Sequence, residues 1–158
     1  MKELLMTDSE AERLINMLKT VIEPVSGVLE YGDEDSIQIS NSDESYIFYL
    51  DYKYEKRKKV FNFRETKYNN YCLLRINLSN GFHRNSDGIK VTGNRINIFS
   101  EEEYYNKADG KTHMKAYKLP FKNIENTDDF LKALSDILDY TNTDEENINL
   151  MIQSELLY

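Results

Sequence analysis

The chain has 158 residues, 40% of them hydrophobic, with 28 acids against 20 Lys and Arg and a formal charge of -8 at pH 7. That length suits one domain, 1–158, around a single core, the apolar content excludes a disordered chain, and no run of about 18 apolar residues is available to cross a membrane. The lone cysteine, Cys72, excludes an intramolecular disulfide, and the start turns acidic before any apolar stretch, so no secretory signal and a cytoplasmic location are expected.

The first element opens at Thr7, which with Glu10 forms a capping box. Ala11, Leu14, Ile15, Leu18 and Ile22 then fall on one helical face, which predicts a helix over residues 8–22 ended by Pro24. From residue 25 to 119 the period changes to two, in the runs VSGVLEY, SIQIS, SYIFYLDYK, KKVFNFRE, YCLLRINL, RINIFS and MKAYKL, which predict a meander of antiparallel strands. In the third run Tyr46, Phe48, Leu50 and Tyr52 share a face, and in the fifth Cys72, Leu74, Ile76 and Leu78 do. The opposite faces carry Tyr49, Asp51, Arg75 and Asn77, so each strand has a buried and a partly wet side. After Pro120 the period is helical again: Thr127 caps a helix bearing Phe130, Leu131, Leu134, Ile137 and Leu138. A second capping box at Thr143 and Glu146 opens TNTDEENINLMIQSELL, where Ile148, Met151, Ile152 and Leu156 predict another helix. The order implies an α+β fold, a curved antiparallel sheet of six or seven strands, open or barrel-like, with one N-terminal and two C-terminal helices.

Charge is distributed unevenly. Residues 1–52 hold 12 acids and 3 bases, residues 53–95 hold 11 bases and 3 acids, and the C-terminal segment is acidic. The tip YKYEKRKK, with Lys53, Lys56, Arg57, Lys58 and Lys59, interleaves basic groups with aromatics as a nucleic-acid surface does, or is a solvated hairpin. The stretch Glu101, Glu102, Glu103, Tyr104 and Tyr105 reads as an acidic aromatic loop that binds a partner or joins two strands. Two histidines and one cysteine make no spaced metal-ligand set, and no cofactor motif is present. Cys72, in an apolar register, reads as core rather than nucleophile. In NGFHRNSDGIKVTGNRINIF, His83, Asp87 and Arg95 would form an acid–base site on RNA if the fold assembles them, with His113 a further candidate. Alternatively Asp87 and Gly88 make a turn.

The motifs LLRIN, HRNSDG, INIF, KLPF and DDFL occur in this order over about residues 71–134. They resemble a family of small uncharacterised bacterial and prophage proteins, a domain of unknown function, with the pattern L-L-R-L-D-I-N, H-x-N-P-D-G, H-x-H-I-Y, P-L and D-F-L. The resemblance implies the same architecture and places the pattern's loop histidine on His83. Its strand histidines fall on Arg95 and Asn97, neither of which replaces an imidazole. Two functions from different classes follow as expectations. One is a non-catalytic phage or mobile-element binding protein that inhibits a host nucleic-acid-handling defence machine, a protein or ribonucleoprotein such as a CRISPR effector, through charged and tyrosine-rich surfaces. The other is a small RNase or RNA-binding toxin-like protein that uses His83 on a basic sheet. A housekeeping role without nucleic acid is a third.

Overall fold

The computed structural model describes residues 2–153. Thr7 caps α1 (Asp8–Asn16), its Oγ1 accepting from the Glu10 amide at 3.1 Å, and Ala11, Leu14 and Ile15 are buried. The Glu10 carboxylate takes Arg13 at 2.6 Å. The helix stops well short of residue 22, because the branched Thr20, Val21 and Ile22 favour extended backbone and β1 (Lys19–Val21) is claimed by the sheet. Leu18, placed on the apolar helix face by its spacing, is exposed.

All seven runs expected as strands are strands: β2 (Val25–Leu29), β3 (Asp33–Asn41), β4 (Ile47–Tyr54), β5 (Lys59–Glu65), β6 (Cys72–Leu78), β9 (Arg95–Phe99) and β10 (Met114–Lys118). Between β6 and β9 lies a short hairpin, β7 (Phe82–Arg84) and β8 (Lys90–Thr92), and near the C-terminal end are β11 (Thr143–Asp144) and β12 (Ile148–Ile152). Eight strands form one sheet in the order β10-β9-β6-β5-β4-β3-β1-β11, open at β10 and β11. Its pairs are antiparallel except β1 with β11, which makes it a mixed sheet. β2 leaves the meander and pairs in parallel with β12.

The α+β class holds, with three helices among the described residues, though they are placed differently from the expectation. α2 (Glu101–Lys107) replaces the acidic loop: Ser100 Oγ accepts from the Glu103 amide, and three acids sit in the first turn, where the helix dipole favours them. α3 (Phe130–Tyr140) is capped by Asp129 rather than Thr127. The run expected as a further helix from Thr143 forms β11 and β12 instead. Thr143 is buried and bonded to Thr141 rather than capping, and Asp144 accepts from the Glu146 amide in a turn. Ile148, Leu150 and Ile152 then alternate with the exposed Asn149 and Met151. The remainder of that expected helix, including Leu156, lies outside the described residues.

The inner face of the sheet carries Ile37, Ile39, Phe48, Leu50, Phe61, Phe63, Leu74, Ile76 and Ile96, which join Leu14 of α1 and Leu134 and Ile137 of α3 in the core. Phe130 at the start of α3 stacks on Phe61 with ring centroids 4.8 Å apart and meets Tyr54 edge-on at 4.9 Å. Such ring pairs contribute about 1 kcal/mol each beyond their buried area. Lys19 is 1% exposed, and its ammonium donates to the carbonyls of Ile15 (2.7 Å), Met17 (2.9 Å) and Thr141 (2.6 Å). It thereby joins the C-terminal ends of α1 and α3 above the rings of Phe48 and Phe63.

A one-residue irregularity changes the fifth run. Phe63 faces Leu74 but Arg64 faces Cys72, so the ladder shifts around Leu73, which is fully buried. Cys72 therefore leaves the apolar face it was assigned by alternation and stands opposite Arg64 on the outer face. Its thiol donates to the Leu74 carbonyl at 3.2 Å, and burial pushes its pKa up to about 11, which keeps it protonated and a poor nucleophile.

Candidate functional site

The alternation that buries one face of the sheet leaves the other polar. Cross-strand partners there make a row: Ser36 opposite Asp51, Asp51 opposite Asn62, Asn62 opposite Arg75, and Arg75 opposite Asn97. A cleft of about 400 Å³ lies over this row, with Asp35, Asp51, Lys53, Lys58, Asn62 and Arg75 in its lining. Within it Arg64 Nε donates to Asp51 Oδ2 at 2.7 Å, with a second bond at 3.3 Å, so this carboxylate is held by a guanidinium fork. Ser36 Oγ donates to the same carboxylate, and Lys53 pairs with Glu34 at 3.5 Å. Among the described residues, Lys58, Arg75 and Asp35 of the lining have no ion pair. The alternation of the sequence already placed Asp51 and Arg75 on a wet face, but Ser36 and Asn62 join them only through strand pairing.

The basic tip is the β4–β5 hairpin, closed by the Glu55 amide donating to the Lys58 carbonyl at 3.0 Å. Lys53, Lys56, Arg57 and Lys58 are exposed. Lys59 is turned back: its ammonium donates to the Lys56 carbonyl at 2.7 Å and sits 5.8 Å above the rings of Tyr31 and Tyr54. Lys53 and Lys58 belong to both the tip and the cleft, which makes one continuous surface.

The residues of α2 are divided. Glu103 and Tyr104 are buried, and Glu101 exchanges hydrogen bonds with Asp8 at the start of α1, each amide donating to the other's carboxylate at 2.8 Å. Glu102 and Tyr105 alone of the five face solvent. The helix is a structural element more than a contact surface. The tyrosines are divided too: Tyr52, Tyr54 and Tyr104 are buried, Tyr31 and Tyr105 are exposed, and the other described tyrosines are half-buried.

His83 lies on the β7–β8 hairpin, against the β9–β10 end of the outer face. Its ring lies near the Met114 backbone, with Nδ1 3.5 Å from Asn97 Nδ2 and Nε2 3.5 Å from Lys107 Nζ. Two residues on, Asn85 donates to the Ala116 carbonyl at 3.0 Å and accepts from the Ala116 amide at 2.8 Å. Asn85 thereby satisfies both backbone groups of Ala116 on the edge strand β10, as an added strand would. Burial, and after it the Lys107 ammonium, hold the His83 pKa below its usual value, so the ring is neutral at pH 7.

The three residues proposed for catalysis are not assembled as an acid–base set. Arg95 lies close enough to lower the His83 pKa further. Asp87 is exposed and accepts from the Ile89 amide at 2.8 Å, serving the turn that Gly88 completes with φ +88°. His113 is engaged elsewhere, its Nε2 3.2 Å from the Cys72 carbonyl and its ring against Tyr71 and Phe99. The three positions to which the resemblance assigns histidine, 83, 95 and 97, do come together here. Only one carries an imidazole.

The chain belongs to a family of unknown function (DUF6978), whose model matches residues 6–143. Neither the curated proteins nor the solved structures yield a match.

Proposed function

We propose that this member of a family of unknown function is a non-catalytic binding protein of the cytoplasm whose contact surface is the outer sheet face together with the β4–β5 tip. The observation that carries the reading is the continuity of tip and cleft through Lys53 and Lys58, with Lys56, Arg57, Lys58 and Arg75 unpaired by carboxylates among the described residues, in a chain of net charge -8. A cationic strip on an acidic protein attracts a polyanion while the rest of the surface repels it, which selects orientation. A ribonucleoprotein suits that strip, since it offers phosphates beside protein. The finer reading is an inhibitor encoded by a phage or mobile element, acting on a host defence machine in the manner of an anti-CRISPR protein. The opposed charge blocks of the sequence support it. The RNase reading draws no such support, because among the described residues His83 is not hydrogen-bonded to Asp87, which accepts from Ile89 in its own turn.

The test is capture from host lysate by tagged full-length protein, with and without nuclease, over a salt series. Binding that weakens with salt, and a Lys56→Ser/Arg57→Ser/Lys58→Ser protein whose salt slope is smaller by about 0.7–0.9 for each phosphate it no longer neutralises, are expected. His83→Ala should capture the same partner. An unchanged slope in the triple variant, or RNA cleavage by the purified protein that requires His83, would sink the proposal.

A further inference from the structure

We infer that Arg75 and Arg95, at the hairpin end of the outer face, form a binding site for a phosphate group. The inference is independent of the identity of the partner proposed above. Arg75 stands opposite Asn97 and Arg95 opposite Asn77, so the two cations are diagonal neighbours on adjacent strands, roughly 7–8 Å apart at their backbones. Two guanidiniums so placed repel each other, and among the described residues no carboxylate lies within ion-pair distance of either. Arg64, a neighbour on the same face, is held instead by the fork to Asp51.

The hydrogen bonds of the pair are also incomplete. Arg75 Nε makes a long bond of 3.4 Å to Asn77 Oδ1, and its two terminal nitrogens have no protein partner among the described residues while the side chain lines the 400 Å³ cleft. Arg95 is 9% exposed, and one terminal nitrogen donates to the Gly93 carbonyl at 2.9 Å. Its Nε is buried without a partner, and so is Oδ1 of Asn97, directly opposite Arg75. These are the buried side-chain atoms without a partner among the described residues, and both fall in this one patch. Unsatisfied buried groups of this kind call for an explanation, and a bound ion beside them is one.

The class of that partner follows from what is missing. One orphan needs an acceptor and the other a donor, and the terminal nitrogens of Arg75 need acceptors. A carboxylate brings two coplanar acceptors and no donor, whereas a phosphate brings tetrahedrally arranged acceptors that meet guanidiniums arriving from two strands. When singly protonated, it also brings a hydroxyl for Asn97 Oδ1. Lys58, on the same cleft and without an ion pair among the described residues, adds a third positive charge for the remainder of a phosphorylated molecule.

Thermal unfolding of the full chain in sodium phosphate, against sodium chloride at equal ionic strength, reads the site directly. Phosphate should raise Tm in a saturable way that chloride does not reproduce. Arg75→Gln, a half-buried position, should retain the fold by circular dichroism and weaken apparent phosphate affinity about tenfold, the size of one lost charge-assisted pair. Arg75→Lys should recover part of it. A ten-nucleotide single-stranded RNA, with and without a 5′-phosphate, separates the sources. Arg75-dependent binding of either RNA assigns nucleic-acid phosphate, and RNA that neither binds nor competes with inorganic phosphate assigns a small phosphorylated molecule. A Tm that responds equally to phosphate and chloride, or an Arg75→Gln protein that responds to phosphate as the parent does, overturns the site.

Discussion

Replacing Lys19 by methionine tests what a buried ammonium does at the junction of two helix ends. Three carbonyls, those of Ile15, Met17 and Thr141, lose their donor. At about 1 kcal/mol for each hydrogen bond, the loss comes to about 3 kcal/mol before the relief of the buried charge is counted. The pH dependence separates the two effects. Burial pushes the Lys19 pKa down to about 7, against about 10.4 in an unfolded chain. Between those values the unfolded state holds a proton that the native state has released, so the native protein gains stability as pH rises; below about pH 7 both states are protonated and the burial cost is borne in full. Methionine titrates in neither state. The stability gap between parent and Lys19→Met should therefore widen by about 2 kcal/mol from pH 7 to pH 9. Urea unfolding followed by circular dichroism at pH 7, 8 and 9 measures it, short of the range where tyrosines ionise. A constant gap would mean that Lys19 titrates alike in both states. A gap that narrows with pH would mean that the carbonyls and the rings of Phe48 and Phe63 outweigh burial, and would refute the reasoning.

The sheet edge and the histidine give two more expectations. Asn85→Ala leaves the amide and carbonyl of Ala116 without partners, which should cost about 2–4 kcal/mol and raise hydrogen exchange at Ala116; exchange as slow as in the parent would show that the edge is protected by other means. For His83 the folded pKa lies below the unfolded one, so stability is lost as pH falls from about 6.5 through the folded value. His83→Gln should flatten that acid limb in thermal melts between pH 7 and pH 5, and an unaltered limb would assign the loss to other groups.

Strand runs were legible in all seven cases because alternation is a local signal that tertiary pairing reinforced, and the polar faces were too, except that Asn77, assigned to a partly wet side, is buried. The errors have a common source in pairings that are distant in sequence. Lys19–Val21 continues a good helical face, yet its β-branched residues are taken by β3 from one side and β11 from the other. Residues 143–152 carry both a capping box and the alternation of Ile148, Leu150 and Ile152, and β1 and β2 decide in favour of the alternation. The shift around Leu73 moved Cys72 to the opposite face, and nothing in YCLLRINL announces it. By contrast, α2 had a readable signal in Ser100 followed by three acids, a capped helix start.

The site was legible in parts, and the loop around His83 shows why parts mislead. A histidine beside a glycine turn matches a catalytic loop in composition, but residue spacing carries different information. His83 and Asn85 are two apart, the spacing at which side chains leave a strand on the same side, and Met114 and Ala116 are two apart on the edge they meet. Edge protection is carried by Asn85, which bonds both backbone groups of Ala116, while the half-buried His83 ring stands 3.5 Å from Asn97 and from Lys107 and is not joined to Asp87, which accepts from Ile89. The groups left without a partner on this face, among the described residues, are Arg95 Nε and Asn97 Oδ1; neither side chain is a base at neutral pH, and neither lies in the motif HRNSDG that holds His83 and Asp87.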